Sequence, residues 1–201
     1  MTMPFRIAAI AVLSLAQLIA AGWSIVRYES TLRSGTAYRI RTIAVDPQDA
    51  FRGRYVAVRP SIIVPEPIDA ETRHLLEQMQ SGETGYVVLA TGDDGFARVA
   101  QVHTTPPAAG DYLKVGDVFP QWTRETQPGQ QPTRVGYVVN FPFDRYYMNE
   151  AAAPVAEQRY FEAARRDATS RAWLAIRVKD GAGVIEGLFI DGVPIEEVIR
   201  K

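Results

Sequence analysis

The sequence predicts an α+β protein, in which one N-terminal transmembrane helix is followed by a mostly antiparallel β domain, a sandwich or partly closed barrel, with two helices. Three observations carry this. Residues 7 to 26 are uncharged, apolar stretches closed by Gly-rich turns recur toward the C-terminus, and only two segments beyond residue 30 have helical patterning.

From Ile7 to Val26 stand 20 residues without a charge. A helix of that length spans about 30 Å, the thickness of a bilayer's hydrocarbon core, and satisfies its own backbone hydrogen bonds. Trp23 and Tyr28 lie near its far end, where amphipathic aromatics favour the interface. A cleaved signal peptide ending at Ala20-Ala21-Gly22 is the competing reading. The run exceeds the roughly 7 to 15 residues of a signal peptide's apolar region, so a retained anchor is expected. Residues 1–30 then form the anchor, 31–37 a linker and 38–201 the β-rich domain. Arg27, Arg33, Arg39 and Arg41 follow the span against Arg6 before it, which favours a domain inside. Long domains translocate largely regardless of such charges, so a single-pass protein of the bacterial inner membrane with an extracytoplasmic domain is expected. Ala16, Ala20 and Ser24, with Gln17 beside them, make a small-residue ridge suited to helix contact in lipid.

The domain of about 170 residues can bury roughly 70% of its unfolded surface, so it needs no staple. Net charge −1 and pI ≈ 6.2 leave no basic field for nucleic acid. The absence of cysteine excludes thiol catalysis and cysteine-ligated metals. His74 and His103 have no ligand-spaced neighbours, so no metal site and no cofactor are expected.

Along the domain, Tyr38 to Val45 alternates as a strand, and a turn-rich segment from Asp46 to Gly53 leads into a second strand from Tyr55. Ile62-Ile63-Val64, between prolines, is an edge piece. Asp69 is placed to cap a helix reaching Gln80, with Leu75 and Leu76 on its inner face. Tyr86–Thr91 and Phe96–His103 make a hairpin around Gly92–Gly95, and strands are expected near Tyr112–Val115 and Val135–Phe141. Thr123–Arg134 reads as a surface loop. Pro154 opens a helix to about Asp167, with Glu162 and Arg166 at i,i+4 spacing. Ala172–Val178 and Val184–Ile190 close on Asp180-Gly181, and Asp191-Gly192 follows.

Three short blocks in this frame resemble the GDYXXLXY family. They are Asp46-Pro47-x-Asp49-x-Phe51-Arg52-Gly53-x-Tyr55, Asp144-Arg145-Tyr146-Tyr147-Met148-Asn149-Glu150, and Gly187-Leu188-Phe189-Ile190-Asp191-Gly192. They lie in the family's order, and the resemblance covers about residues 38 to 192. Of the naming motif only Gly53 and Tyr55 remain: Arg54 stands for its Asp, Val58 for its Leu and Pro60 for its last Tyr. The resemblance implies a membrane-anchored protein encoded beside polytopic membrane proteins, without an assigned enzymatic activity. A non-enzymatic binding or accessory module partnering an integral membrane protein is therefore expected.

The candidate binding residues are Asp46, Asp49, Arg52, Arg54 and Tyr55, together with Arg145 and Tyr146. Arginines on a turn present forked donors to carboxylate or phosphate. Turn chemistry explains much of the first block as well, since Asp before Pro starts a turn and Gly53 supplies an unusual dihedral. The enzymatic alternative is a Ser–Lys hydrolase using Ser61 and Lys114, with the lysine as a desolvated base.

Overall fold

A computed structural model describes residues 3–43, 55–60, 62–65, 70–78, 83–116, 118–122, 134–165 and 170–200. The first element, α1 (Met3–Ser34), is a single 32-residue helix. Its stretch from Ile7 to Ser34 is long and apolar enough to cross a membrane. Ile7, Leu13, Leu18 and Trp23 are all largely exposed. The expected linker at 31–37 is replaced by helix through Ser34 and a strand, β1 (Thr36–Ile43), joined by Gly35 alone.

The physical reason is a seam between the helix end and the sheet. Thr31 is buried, and the Gly35 amide donates to the Thr31 carbonyl at 2.8 Å. A Cβ on Gly35 would lie 2.5 Å from the Thr31 carbonyl oxygen and 3.0 Å from that of Val178. Only glycine lets the chain turn from helix to strand this close to its neighbour.

β1 runs in a five-stranded antiparallel sheet, ordered β13-β12-β11-β1-β3, with β3 (Arg59–Pro60), β11 (Ala172–Lys179), β12 (Ala182–Ile190) and β13 (Val193–Pro194). Strict alternation along β11 buries Ala172, Leu174, Ile176 and Val178 and turns Trp173, Arg177 and Lys179 outward. The β11–β12 turn is Asp180-Gly181, with φ of 47° and 80°. The β12–β13 turn is Asp191-Gly192, with φ of 51° and 82°. Both are the two-residue connection with two left-handed positions that Asp-Gly favours, because its twist matches that of the flanking strands.

Among the described residues there are three smaller antiparallel sheets: β10 (Arg145–Tyr147) with β2 (Tyr55–Ala57); β4 (Ile63–Pro65), β9 (Arg134–Val139) and β8 (Val118–Trp122); and β6 (Ala97–His103), β5 (Gly85–Thr91) and β7 (Leu113–Val115). No barrel closes among the described residues. The expected edge character of the 62–64 segment holds, since β4 lies at one side of its sheet. The strands β8, β10 and β13 go beyond the sequence expectation, as does a one-turn helix, α4 (Ile195–Val198). Helix α2 (Ala70–Gln78) buries Leu76, and α3 (Ala153–Ala163) starts with proline in its first turn and buries Ala156 and Tyr160. The proposed cap Asp69, the hydrolase nucleophile Ser61, the loop 123–133 and the Glu162 partner Arg166 lie outside the described residues. Glu162 meets Arg159 at 3.9 Å.

One core joins these layers. Ile40, Leu174, Ile176 and Leu188 of the large sheet pack in it with Val87, Leu113, Val139 and Tyr160, all buried. The Tyr160 hydroxyl donates to the Ile43 carbonyl at 3.0 Å and pins α3 to the end of β1. Burial pushes that phenol up to about 12.

Candidate functional site

Among the described residues, a cleft of about 680 Å³ lies between β2, β3, β8, β9 and the segment leading into β10. Its floor is apolar and includes Val58, Val139 and Phe141, which are buried. Its rim carries Tyr55, Arg59, Phe119, Asn140, Asp144 and Arg145.

Strand pairing builds this rim from two segments distant in sequence. Arg145 lies opposite Ala57, Tyr146 opposite Val56 and Tyr147 opposite Tyr55. The Val58 amide also donates to the Asp144 carbonyl at 3.0 Å. Alternation then puts Arg145 and Tyr147 on one face of β10. The Arg145 guanidinium sits over the Tyr55 ring at 5.1 Å, and the rings of Tyr55 and Tyr147 meet edge to face at 5.9 Å. Asp144 approaches Arg145 at 3.5 Å. The Tyr147 hydroxyl, and after it the Asp144 carboxylate, holds this guanidinium above the usual arginine range. A forked cation flanked by aromatic faces at the mouth of an apolar cleft suits a carboxylate- or phosphate-bearing group with an apolar body.

Of the sequence-predicted residues, Tyr55 and Arg145 are brought together. Tyr146 is not: it points to the opposite face, half-buried, and its hydroxyl donates to the Glu196 carboxylate of α4. Burial, reinforced by that carboxylate, raises its phenol well above the ordinary tyrosine value. Tyr147, largely exposed, takes the place expected of Tyr146. The i,i+2 spacing from Arg145 was the signal that could have found it. Asp46, Asp49, Arg52 and Arg54 lie outside the described residues, directly before Tyr55 in the chain. Ala16, Gln17, Ala20 and Ser24 are exposed along α1. Lys114 is exposed on β7.

Described parts of the three blocks singled out in the sequence neighbour one another around β10. Tyr55 ends the first, β10 lies in the second, and the third forms the end of β12 and the turn into β13, which leads to α4, whose Glu196 holds Tyr146. A family model described as GDYXXLXY protein matches residues 17–188. The chain belongs to the GDYXXLXY family. No curated protein and no solved structure matches it. Two departures from the GDYXXLXY naming motif have a structural account. Val58, standing for Leu, is buried and keeps an aliphatic core position. Pro60, standing for Tyr, lies opposite Thr42 on the outermost strand of the large sheet, where a missing N–H is tolerated.

Proposed function

We propose that this GDYXXLXY protein is a single-pass, membrane-anchored binding module whose domain holds an integral membrane partner. The supporting observation is that α1 turns its whole apolar run outward while its last two turns are tied to the domain. Such ties favour anchor and domain moving as one body. The Tyr55–Arg145–Tyr147 cleft is the contact on the domain side, joined by Asp46, Asp49, Arg52 and Arg54 of the adjoining segment. The span contributes Ala16, Gln17, Ala20 and Ser24. The domain faces away from the cytoplasm, in the inner membrane of a bacterium.

Fractionation tests the anchor, since buried apolar area resists high salt and carbonate whereas charge attraction does not. The full chain is expected in the membrane pellet under both treatments. Recovery as a soluble chain lacking residues up to about Gly22 would show a cleaved signal peptide instead. Mild-detergent capture then tests the partner: a polytopic membrane protein should co-purify with the full chain and be depleted when Arg145 is replaced.

A further inference from the structure

A second cavity, of about 390 Å³, lies where α1 meets the β11–β12 hairpin. It is lined by Trp23, Val26, Arg27, Ser30 and Thr31 of the helix and by Lys179 and Asp180 of the hairpin. Arg27 is the first charge after the uncharged run, so the cavity falls at the boundary between hydrocarbon and water. Its walls divide accordingly. Trp23 and Val26 offer an apolar side and are 72% and 63% exposed. On the other side stand two cations and one carboxylate.

Neither cation meets a carboxylate among the described residues. Arg27 spends one guanidinium N–H on the Asp180 carbonyl, at 3.3 Å. Lys179 donates to the hydroxyls of Ser30 and Ser34, at 3.1 and 2.8 Å. A guanidinium has five N–H donors and an ammonium three, so both retain donors for a ligand. The hairpin side of the cavity is fixed in advance. Asp180 and Gly181 hold left-handed dihedrals, the Gly181 amide donates to the Tyr112 carbonyl at 2.9 Å, and the Gly181 carbonyl accepts from the Lys114 amide at 3.1 Å. Donors held in place lose little freedom when a ligand arrives.

We propose that this cavity binds the headgroup of a bilayer phospholipid that carries both a phosphodiester and an ammonium. The phosphate is held by Arg27 and Lys179, the ammonium faces Asp180, and the acyl chains run down α1 past Val26 and Trp23. The pattern of charges points to this class: Arg27 and Lys179 offer partners to a phosphate, and the Asp180 carboxylate offers one to an amine. A headgroup without an amine forgoes the contact with Asp180. The proposal rests on the anchored reading of α1. Its role would be to fix the rotation of the domain on the membrane, since a lipid bridging helix and hairpin adds a third point to a one-helix tether.

The test uses the full chain in nanodiscs of equal phosphatidylethanolamine and phosphatidylglycerol, released into mild detergent and examined by native mass spectrometry. The wild-type chain should retain one phosphatidylethanolamine. R27A/K179A should retain it at least roughly tenfold less, the loss expected when charged hydrogen bonds to a ligand are removed. W23A should weaken retention without changing the domain's melting temperature, which covers the case in which the double variant fails to fold. D180N should abolish the preference for the amine-bearing lipid. R33A should change nothing, because Arg33 lies on the same helix but pairs with Glu29 at 2.8 Å and is absent from the cavity wall. The proposal is overturned if R27A/K179A and W23A both hold as much lipid as R33A. It is also overturned if soluble phosphoethanolamine displaces the lipid, which would mark a site for a free phosphate ester. Extraction of the wild-type chain by carbonate would sink the anchored reading itself, and that result is separate from either of these.

Discussion

The β11–β12 hairpin and the β2–β10 cleft show two ways in which this sequence makes structure. The hairpin is written in adjacent residues: alternating apolar positions on both arms and an Asp-Gly turn whose positive dihedrals suit that dipeptide. The cleft is written across the chain. Its strands are three residues each, too short for a period, and they pair only because the intervening sheets and α3 bring them together. The contrast separates scaffold from candidate site. Where pairing is local, the outward side chains are engaged with the protein itself, as Arg177 is with Glu186 at 2.9 Å and Lys179 is with α1. Where pairing is distant, the rim side chains Arg145 and Tyr147 stay exposed.

The largest effect that would test this division is expected at the seam. Gly35→Ala should destabilise the domain by about 2 to 3 kcal/mol in denaturant unfolding, because the added Cβ meets backbone oxygens rather than a side chain that could swing away. Hydrogen exchange should rise first at the helix exit around Thr31. An unchanged midpoint would mean that α1 is a flexible tether, as the sequence suggested, and would remove the basis for treating anchor and domain as one body.

That expectation of a linker shows where legibility ended. The antiparallel α+β class, both long hairpins and helices α2 and α3 were readable because apolar period and turn residues agree within each segment. Arg27, Glu29 and Arg33 end the lipid-compatible run, and nothing local says that the helix continues. What continues it is Thr31 entering the core and Lys179 reaching Ser30 and Ser34 from far along the chain. The strand β8 was hidden by Pro120 in its middle, and β10 by its length. In the site, the blocks that resemble the family pointed to Tyr55 and Arg145, while the register needed to choose Tyr147 over Tyr146 came only with the β2 pairing.

A smaller effect is expected from Tyr160, which joins the two regions through α3. Its folded pKa is raised above that of the unfolded chain, so the neutral phenol stabilises the fold fully below pH 10. That contribution is lost as pH rises from about 10 through the folded value of about 12. Tyr146 is shifted in the same direction and adds to the alkaline loss. Tyr160→Phe should cost about 1 kcal/mol at neutral pH through the missing bond to the Ile43 carbonyl. It should also flatten the fall in melting temperature between about pH 10 and 12. An equally steep fall in the variant would place the alkaline sensitivity elsewhere.

The smallest effect on stability, and the sharpest on function, is expected at Arg145. Its ion pair with Asp144 is exposed on both sides, and such pairs contribute roughly 0 to 1 kcal/mol. Its stacking on Tyr55 adds about as little at a solvated position. Arg145→Ala should therefore unfold within about 1 kcal/mol of the wild type. Partner capture should fall far more, because a guanidinium desolvated at an interface realises its energy only on binding. Arg145→Lys refines the reading: it keeps the charge and loses the fork, so it should fold normally and capture poorly if the partner presents a carboxylate or phosphate to two N–H groups at once. If Arg145→Ala unfolds the domain, the cleft rim belongs with the hairpin as scaffold. If it folds and captures the partner undiminished, the cleft is not the contact, and the span at Ala16, Gln17, Ala20 and Ser24 is left to carry the association alone.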